Sequence, residues 1–127
     1  MSVRGIGTDI VAVDRVRELL NRHGDRFLAR CFQPQERARI QARHGPAREA
    51  MVAGRWAAKE AFLKALGGSI AHIPYQDIAV SSAEAGAPLL SVTGLAAEAL
   101  NTCGGRKLHL TISHERQFAV ATVLIED

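Results

Sequence analysis

The sequence predicts an α+β fold in which an antiparallel sheet packs on one long helix and several short ones. Three observations carry that expectation. A run over residues 46–66 consists almost wholly of strong helix formers and ends on Gly67-Gly68, which can take the left-handed turn that closes a helix. Near the start, Ile6, Thr8 and Ile10 alternate with Gly5, Gly7, Asp9, Val11 and Val13, the period of a strand. Near the end, residues 107–113 alternate with Leu108, Leu110 and Ile112 inward, and 118–125 is nearly all apolar. At 127 residues, with no linker, repeat or low-complexity segment, residues 1–127 read as a single domain.

Taken in order, the opening strand puts Gly5 and Gly7 on the face of Asp9, where missing side chains clear space beside its carboxylate. Asp14 is suited to cap a first helix carrying Val16, Leu19 and Leu20 inward, until His23-Gly24-Asp25 breaks it. Asp25 can cap a short helix through Phe27, Leu28 and Phe32. Gln33-Pro34 starts a third helix, and His44-Gly45-Pro46 stops it. On the long helix that follows, Met51, Ala58, Phe62 and Ala65 form the core stripe. Residues 68–74 read as loop, 75–81 as a short strand, 84–88 as a Gly/Pro turn and 89–93 as a strand. Gly94 opens a short helix through Leu95, Ala99 and Leu100. The last two strands are joined by residues 114–117 into a hairpin, the second strand buried on both faces.

Charge is unevenly placed. The net +3 hides a segment, residues 15–48, in which nine arginines face Glu18, Asp25 and Glu36, leaving it at +6 and the remainder at −3. Such a block calls for an acidic partner: nucleic acid, a membrane surface or an acidic protein. Cys31 and Cys103 have no metal or redox spacing and read as reduced core residues of a cytosolic protein. No signal segment or membrane-spanning run is evident.

The long helix carries the chemistry. Glu60 precedes Lys64 by one turn, with Ala53, Ala57 and Gly67 around them, so a carboxylate and an ammonium stand where something bulky can approach. A solvated Glu–Lys pair is the bland alternative. Arg55 lies roughly 140° around the helix from Glu60 and belongs to a subunit contact or a neighbouring pocket.

Four pieces now align with a known family. Gly5-Ile6-Gly7-Thr8-Asp9-Ile10-Val11, Arg55-Trp56-Ala57-Ala58-Lys59-Glu60-Ala61 with Lys64-Ala65-Leu66-Gly67, the Gly86-x-Pro88 turn, and Ile112-Ser113-His114-Glu115-Arg116 resemble the holo-[acyl-carrier-protein] synthase family of bacterial 4′-phosphopantetheinyl transferases. The resemblance spans the chain in order. It departs at Trp56, where the family often has Phe, and at Ala87, where it commonly has Lys. The second departure removes one phosphate contact.

The resemblance implies the 4′-phosphopantetheinyl transferase fold and its reaction. Phosphopantetheine passes from coenzyme A to a serine of apo-acyl carrier protein in fatty acid biosynthesis, releasing adenosine 3′,5′-bisphosphate. Breaking a pyrophosphate linkage develops negative charge that Mg²⁺ neutralises, and Mg²⁺ favours one or two carboxylates plus waters and phosphate oxygens. Asp9 and Glu60 match the family's metal ligands. Glu60, Lys64 and His114 carry the catalytic expectation, with either His114 or a Mg²⁺-bound water as the base. Asp9, Glu60, Lys64, Gly67, Pro88 and His114 bind metal or coenzyme. Arg15, with Arg17, Arg22 and Arg26, docks the acidic carrier protein, and the family's homotrimer places sites at subunit clefts in the cytoplasm. The other reading is a basic module that binds nucleic acid through residues 15–48. It suffers from the scarcity of aromatics, none of them set among the arginines as a stacking platform.

Overall fold

The computed structural model describes residues 1–68 and 72–127. Strand β1 (Val3–Ala12) runs straight into helix α1 (Val13–His23), and α2 (Asp25–Cys31), α3 (Pro34–Gln41) and the long α4 (Gly45–Ala65) follow. A single 3-10 turn, Tyr75–Asp77, leads into the hairpin of β2 (Ile78–Ser82) and β3 (Pro88–Val92). Helix α5 (Gly94–Thr102), β4 (Lys107–His114) and β5 (Phe118–Glu126) complete the chain. The loop expected over 68–74 includes residues 69–71, which lie outside the described residues.

The α+β class holds, but the strands form two sheets instead of one. β1, β5 and β4 make a three-stranded antiparallel sheet in that order, and β2 and β3 pair as a separate two-stranded sheet. Helix α4 crosses the first sheet, resting on β1 and β5, and is covered from elsewhere by α1, α3 and β2. Ala53, Ala57, Ala58, Ala61 and Phe62 of α4 and Ala119, Ala121, Val123 and Ile125 of β5 are buried in this layer. The alanines let the elements approach closely, so the small-residue setting of α4 is a packing surface and not open room.

The glycines of β1 have the same explanation. A Cβ on Gly5 would lie 2.0 Å from the carbonyl oxygen of Ala65, and one on Gly7 2.2 Å from that of Ala61. The helix backbone therefore fills the gap expected beside Asp9.

Other local expectations shift. Asp14 is not the N-cap of α1. Ala12 is, because the strand passes directly into the helix and Val13 donates its N–H to Gln117 O at 2.9 Å. Asp14 sits in the first turn and accepts from Arg17. Asp25 likewise falls inside α2, with Gly24 at the cap in a left-handed conformation (φ 49°). The first three residues of the expected strand 75–81 coil into the 3-10 turn, since Asp77 turns to receive the Leu95 N–H at the start of α5. Strand β5 is buried on one face only; its other residues are half-buried or exposed. Met51 is half-buried on the core's margin, and Cys31 and Cys103 are both free thiols.

Candidate active site

Asp9 follows Gly5 and Gly7 on the helix-facing side of β1, so its carboxylate emerges beside the last two turns of α4. There Lys64 Nζ meets Asp9 Oδ1 at 2.8 Å and also donates to Thr8 O at 3.2 Å. The hydrogen bond and charge of Asp9 raise the Lys64 ammonium above its usual range, so it stays charged. Lys64 thus pairs with Asp9 across elements and not with Glu60 on its own helix.

Glu60 instead accepts a hydrogen bond from the hydroxyl of Tyr75 through Oε1. Burial, then the Glu60 hydrogen bond and charge, push the Tyr75 phenol up to about 12, so it remains a donor. Asp9, Arg15, Trp56, Glu60 and Tyr75 line one cavity of about 300 Å³. The Arg15 guanidinium lies 5.2 Å above the Trp56 ring, and Trp56 packs edge-to-face on Phe27 at 5.4 Å. Among the described residues no group of three or more His, Cys, Asp or Glu gathers as a metal cage. Two carboxylates opening on one polar cavity suit a hard cation that keeps waters and takes phosphate oxygens.

A second cavity, about 330 Å³, is lined by Arg39, Arg43, Arg55, Gly86, Ile112 and His114, with no carboxylate in its wall. Burial lowers the Arg55 pKa, Arg39 and Arg43 add to that effect, and Glu36 opposes it. Arg55 Nε is buried with no acceptor among the described residues. Three guanidiniums and an imidazole around one space suit an anion.

His114 ends β4 opposite Ala119 and lines the second cavity and a third, with Arg17, Glu49 and Arg116, but not the Asp9–Glu60 cavity. Asp9, Glu60 and Lys64 are thus brought together in one chain, and His114 is not. Gly67 turns the chain after α4 with φ 91°, and Pro88 opens β3 opposite Ser82; neither lines these cavities. Arg17 is engaged by Glu49 and Asp14. Arg22 is exposed, and Arg26 shares a smaller cavity with His23, Phe27 and Arg30.

Sequence reasoning missed Tyr75, Arg39, Arg43 and the pair Lys59–Glu36. Lys59 and Glu36 are both buried and bonded at 2.8 Å. The signal for Glu36 was present: Gln33-Pro34-Gln35-Glu36 has the spacing of a capping box, and Gln33 N–H does donate to Glu36 Oε1 at 2.9 Å.

Comparison with known proteins decides the family. Residues 5–123 match the model of the 4′-phosphopantetheinyl transferase superfamily. The chain belongs to this superfamily. It is 42% identical over 125 residues to the holo-[acyl-carrier-protein] synthase of Halothermothrix orenii, covering 98% of each chain. The crystal structure of the Neisseria meningitidis synthase superposes with a TM-score of 0.87 at 31% identity, over 99% of this chain and 100% of that one. The Bacillus anthracis synthase, solved in complex with coenzyme A (3′,5′-ADP), gives 0.81 at 34% identity, over 97% and 96%. This phosphopantetheinyl transferase moves 4′-phosphopantetheine from coenzyme A to acyl carrier protein. The nucleic-acid reading finds no support, and most of the arginines of residues 15–48 are divided among separate cavities and internal bonds.

Proposed function

We propose that the transfer is Mg²⁺-dependent and that Asp9 and Glu60 hold the cation against the coenzyme's pyrophosphate. The observation that carries this reading is the shared cavity of two carboxylates from different elements, with Lys64 on Asp9. When bound, Mg²⁺ neutralises the negative charge that develops as the P–O bond to adenosine 3′,5′-bisphosphate breaks. The carrier protein's serine oxygen forms the new bond to the pantetheine-bearing phosphorus and loses its proton. Lys64 places a positive charge beside the same phosphates. The three-arginine cavity with His114 takes the phosphate-rich adenosine end, which makes His114 a coenzyme-binding residue.

In one chain the acidic and basic cavities are separate, so a complete site requires a second copy. The outer face of the three-stranded sheet supplies the means: Ile6 and Ile10 are 64% and 60% exposed, and Phe118 extends the same apolar face. We take the assembly to be a cytoplasmic homotrimer, following the family, with each site built from two protomers. Acidic carrier protein docks beside the metal cavity on Arg15, with Arg22 and Arg26 further along the same layer; Arg17 shapes that surface through Glu49. No described helix is long and apolar enough to cross a membrane. The test is the intact mass of apo-acyl carrier protein after incubation with coenzyme A, with and without Mg²⁺. A gain of one phosphopantetheine only with the cation supports the reading, and an equal gain with chelator contradicts it.

A further inference from the structure

We propose that Tyr75 is a positioning residue for Glu60, held in place by the buried Lys59–Glu36 pair. The proposal rests on Glu60 being a metal carboxylate.

Lys59 has three N–H donors and three acceptors. Nζ donates to Cys31 O at 2.7 Å, to Glu36 Oε1 at 2.8 Å and to Tyr75 O at 3.2 Å. The ammonium also lies 4.6 Å from the centre of the Phe32 ring. Glu36 is equally committed: Oε1 also takes the Gln33 N–H and Oε2 takes the Val80 N–H, both at 2.9 Å. One ion pair thus ties the end of α2, the start of α3, the middle of α4 and strand β2. Removing both charges from water is costly, and such pairs add little net stability. What this one does is fix a position, the backbone of Tyr75.

Lys59 and Glu60 are consecutive on α4, about 100° apart around its axis. Lys59 therefore holds the Tyr75 carbonyl while Glu60 receives the Tyr75 hydroxyl, a two-point attachment of one residue to one turn of helix. The hydroxyl occupies Oε1, and no donor among the described residues engages Oε2. A carboxylate anchored by one oxygen presents the other with a fixed orientation, as partners behind metal ligands do. An unanchored glutamate side chain on a half-exposed helix face would lose that order on every turnover.

Tyr75→Phe removes only the hydroxyl. Lys59→Met would strand Glu36 in the core and can unfold the chain, so it is not the variant to use. Mn²⁺ binding is measured by the loss of the free-ion electron paramagnetic resonance signal, with coenzyme A present, for wild type, Tyr75→Phe and Glu60→Gln. Thermal midpoints are recorded without metal. The expected result is Mn²⁺ binding weakened about 10-fold or more in Tyr75→Phe, a matching rise in the Mg²⁺ concentration for half-maximal transfer, and partial recovery of kcat/KM as Mg²⁺ is raised. Glu60→Gln weakens binding further. Unchanged Mn²⁺ affinity in Tyr75→Phe alone, whatever its thermal midpoint, overturns the positioning role and leaves the metal site standing. Unchanged affinity in Glu60→Gln overturns both.

Discussion

Lys59 and Glu60 are neighbours in the chain with opposite fates. Glu60 opens on a cavity, and its place beside Asp9 was legible because the surrounding motif and the strand bearing Asp9 pointed at each other. Lys59 was not legible, because its partner Glu36 lies 23 residues away on another helix and a lysine between an alanine and a glutamate looks solvated. Its burial predicts that Lys59→Met costs about 3–5 kcal/mol, the usual penalty for leaving one partner of a buried pair unmatched. Urea unfolding measures it; a cost below about 1 kcal/mol would mean that Glu36 finds water. Arg15 differs from the arginines tied up internally. It is stacked on Trp56 at the rim of the Asp9–Glu60 cavity, and the docking proposed for it is tested by charge reversal. Arg15→Glu should raise KM for the carrier protein, with little change for coenzyme A. In the wild type that KM should rise with salt, as exposed charges are screened beyond about 8–10 Å. Equal damage to both constants would contradict docking.

Between elements, the contact that matters is α4 on β1. Alternation and helix propensity revealed both elements, and the glycines flagged close approach on the Asp9 face. What sequence could not say was that the approaching body is the helix itself and not a ligand, since both leave the same missing side chains. The distinction has a consequence. Gly7→Ala puts a methyl group against the Ala61 carbonyl and within 3.0 Å of Lys64 Cβ, so α4 must lift from β1. Stability should fall by about 1–3 kcal/mol or more, the range for overpacking a close contact. Because Asp9 and Lys64 ride on the two elements, transfer should fall with it. A fully stable and active Gly7→Ala would mean that the interface slides without cost. The 3-10 turn at Tyr75 escaped the sequence reading for a related reason: its shape is set by Lys59, Asp77 and Glu60, none of which period-two alternation can report.

For the whole molecule, the two cavities pose the question. Asp9 and Glu60 line one, Arg39, Arg43, Arg55 and His114 the other, and an apolar sheet face with Ile6, Ile10 and Phe118 is left exposed. All three facts are met if copies pack through that face and each cleft takes one cavity from either side. Analytical ultracentrifugation should give a trimer at assay concentrations. Ile6→Asp, on that face and outside both cavities, should shift it toward monomer with loss of transfer. A monomer that transfers at the wild-type rate would show that one chain completes the site alone. Helix angle separated Arg55 from Glu60 in the sequence, and the two do line different cavities. It could not separate His114 from Glu60, because which cavity a residue lines depends on tertiary placement and both are conspicuous in the motifs.

The central claim is that Asp9 and Glu60 together hold the metal that makes transfer possible. Single-turnover transfer measured against Mg²⁺ concentration, for wild type, Asp9→Asn and Glu60→Gln, tests it most directly. Each variant keeps side-chain shape and loses one negative charge. The account predicts a fall of roughly 10²–10³-fold for each, as for removal of one electrostatic stabiliser, with a metal dependence shifted to higher concentration and partial rescue by excess Mg²⁺ or Mn²⁺. A wild-type rate with an unchanged metal dependence in either variant would contradict it.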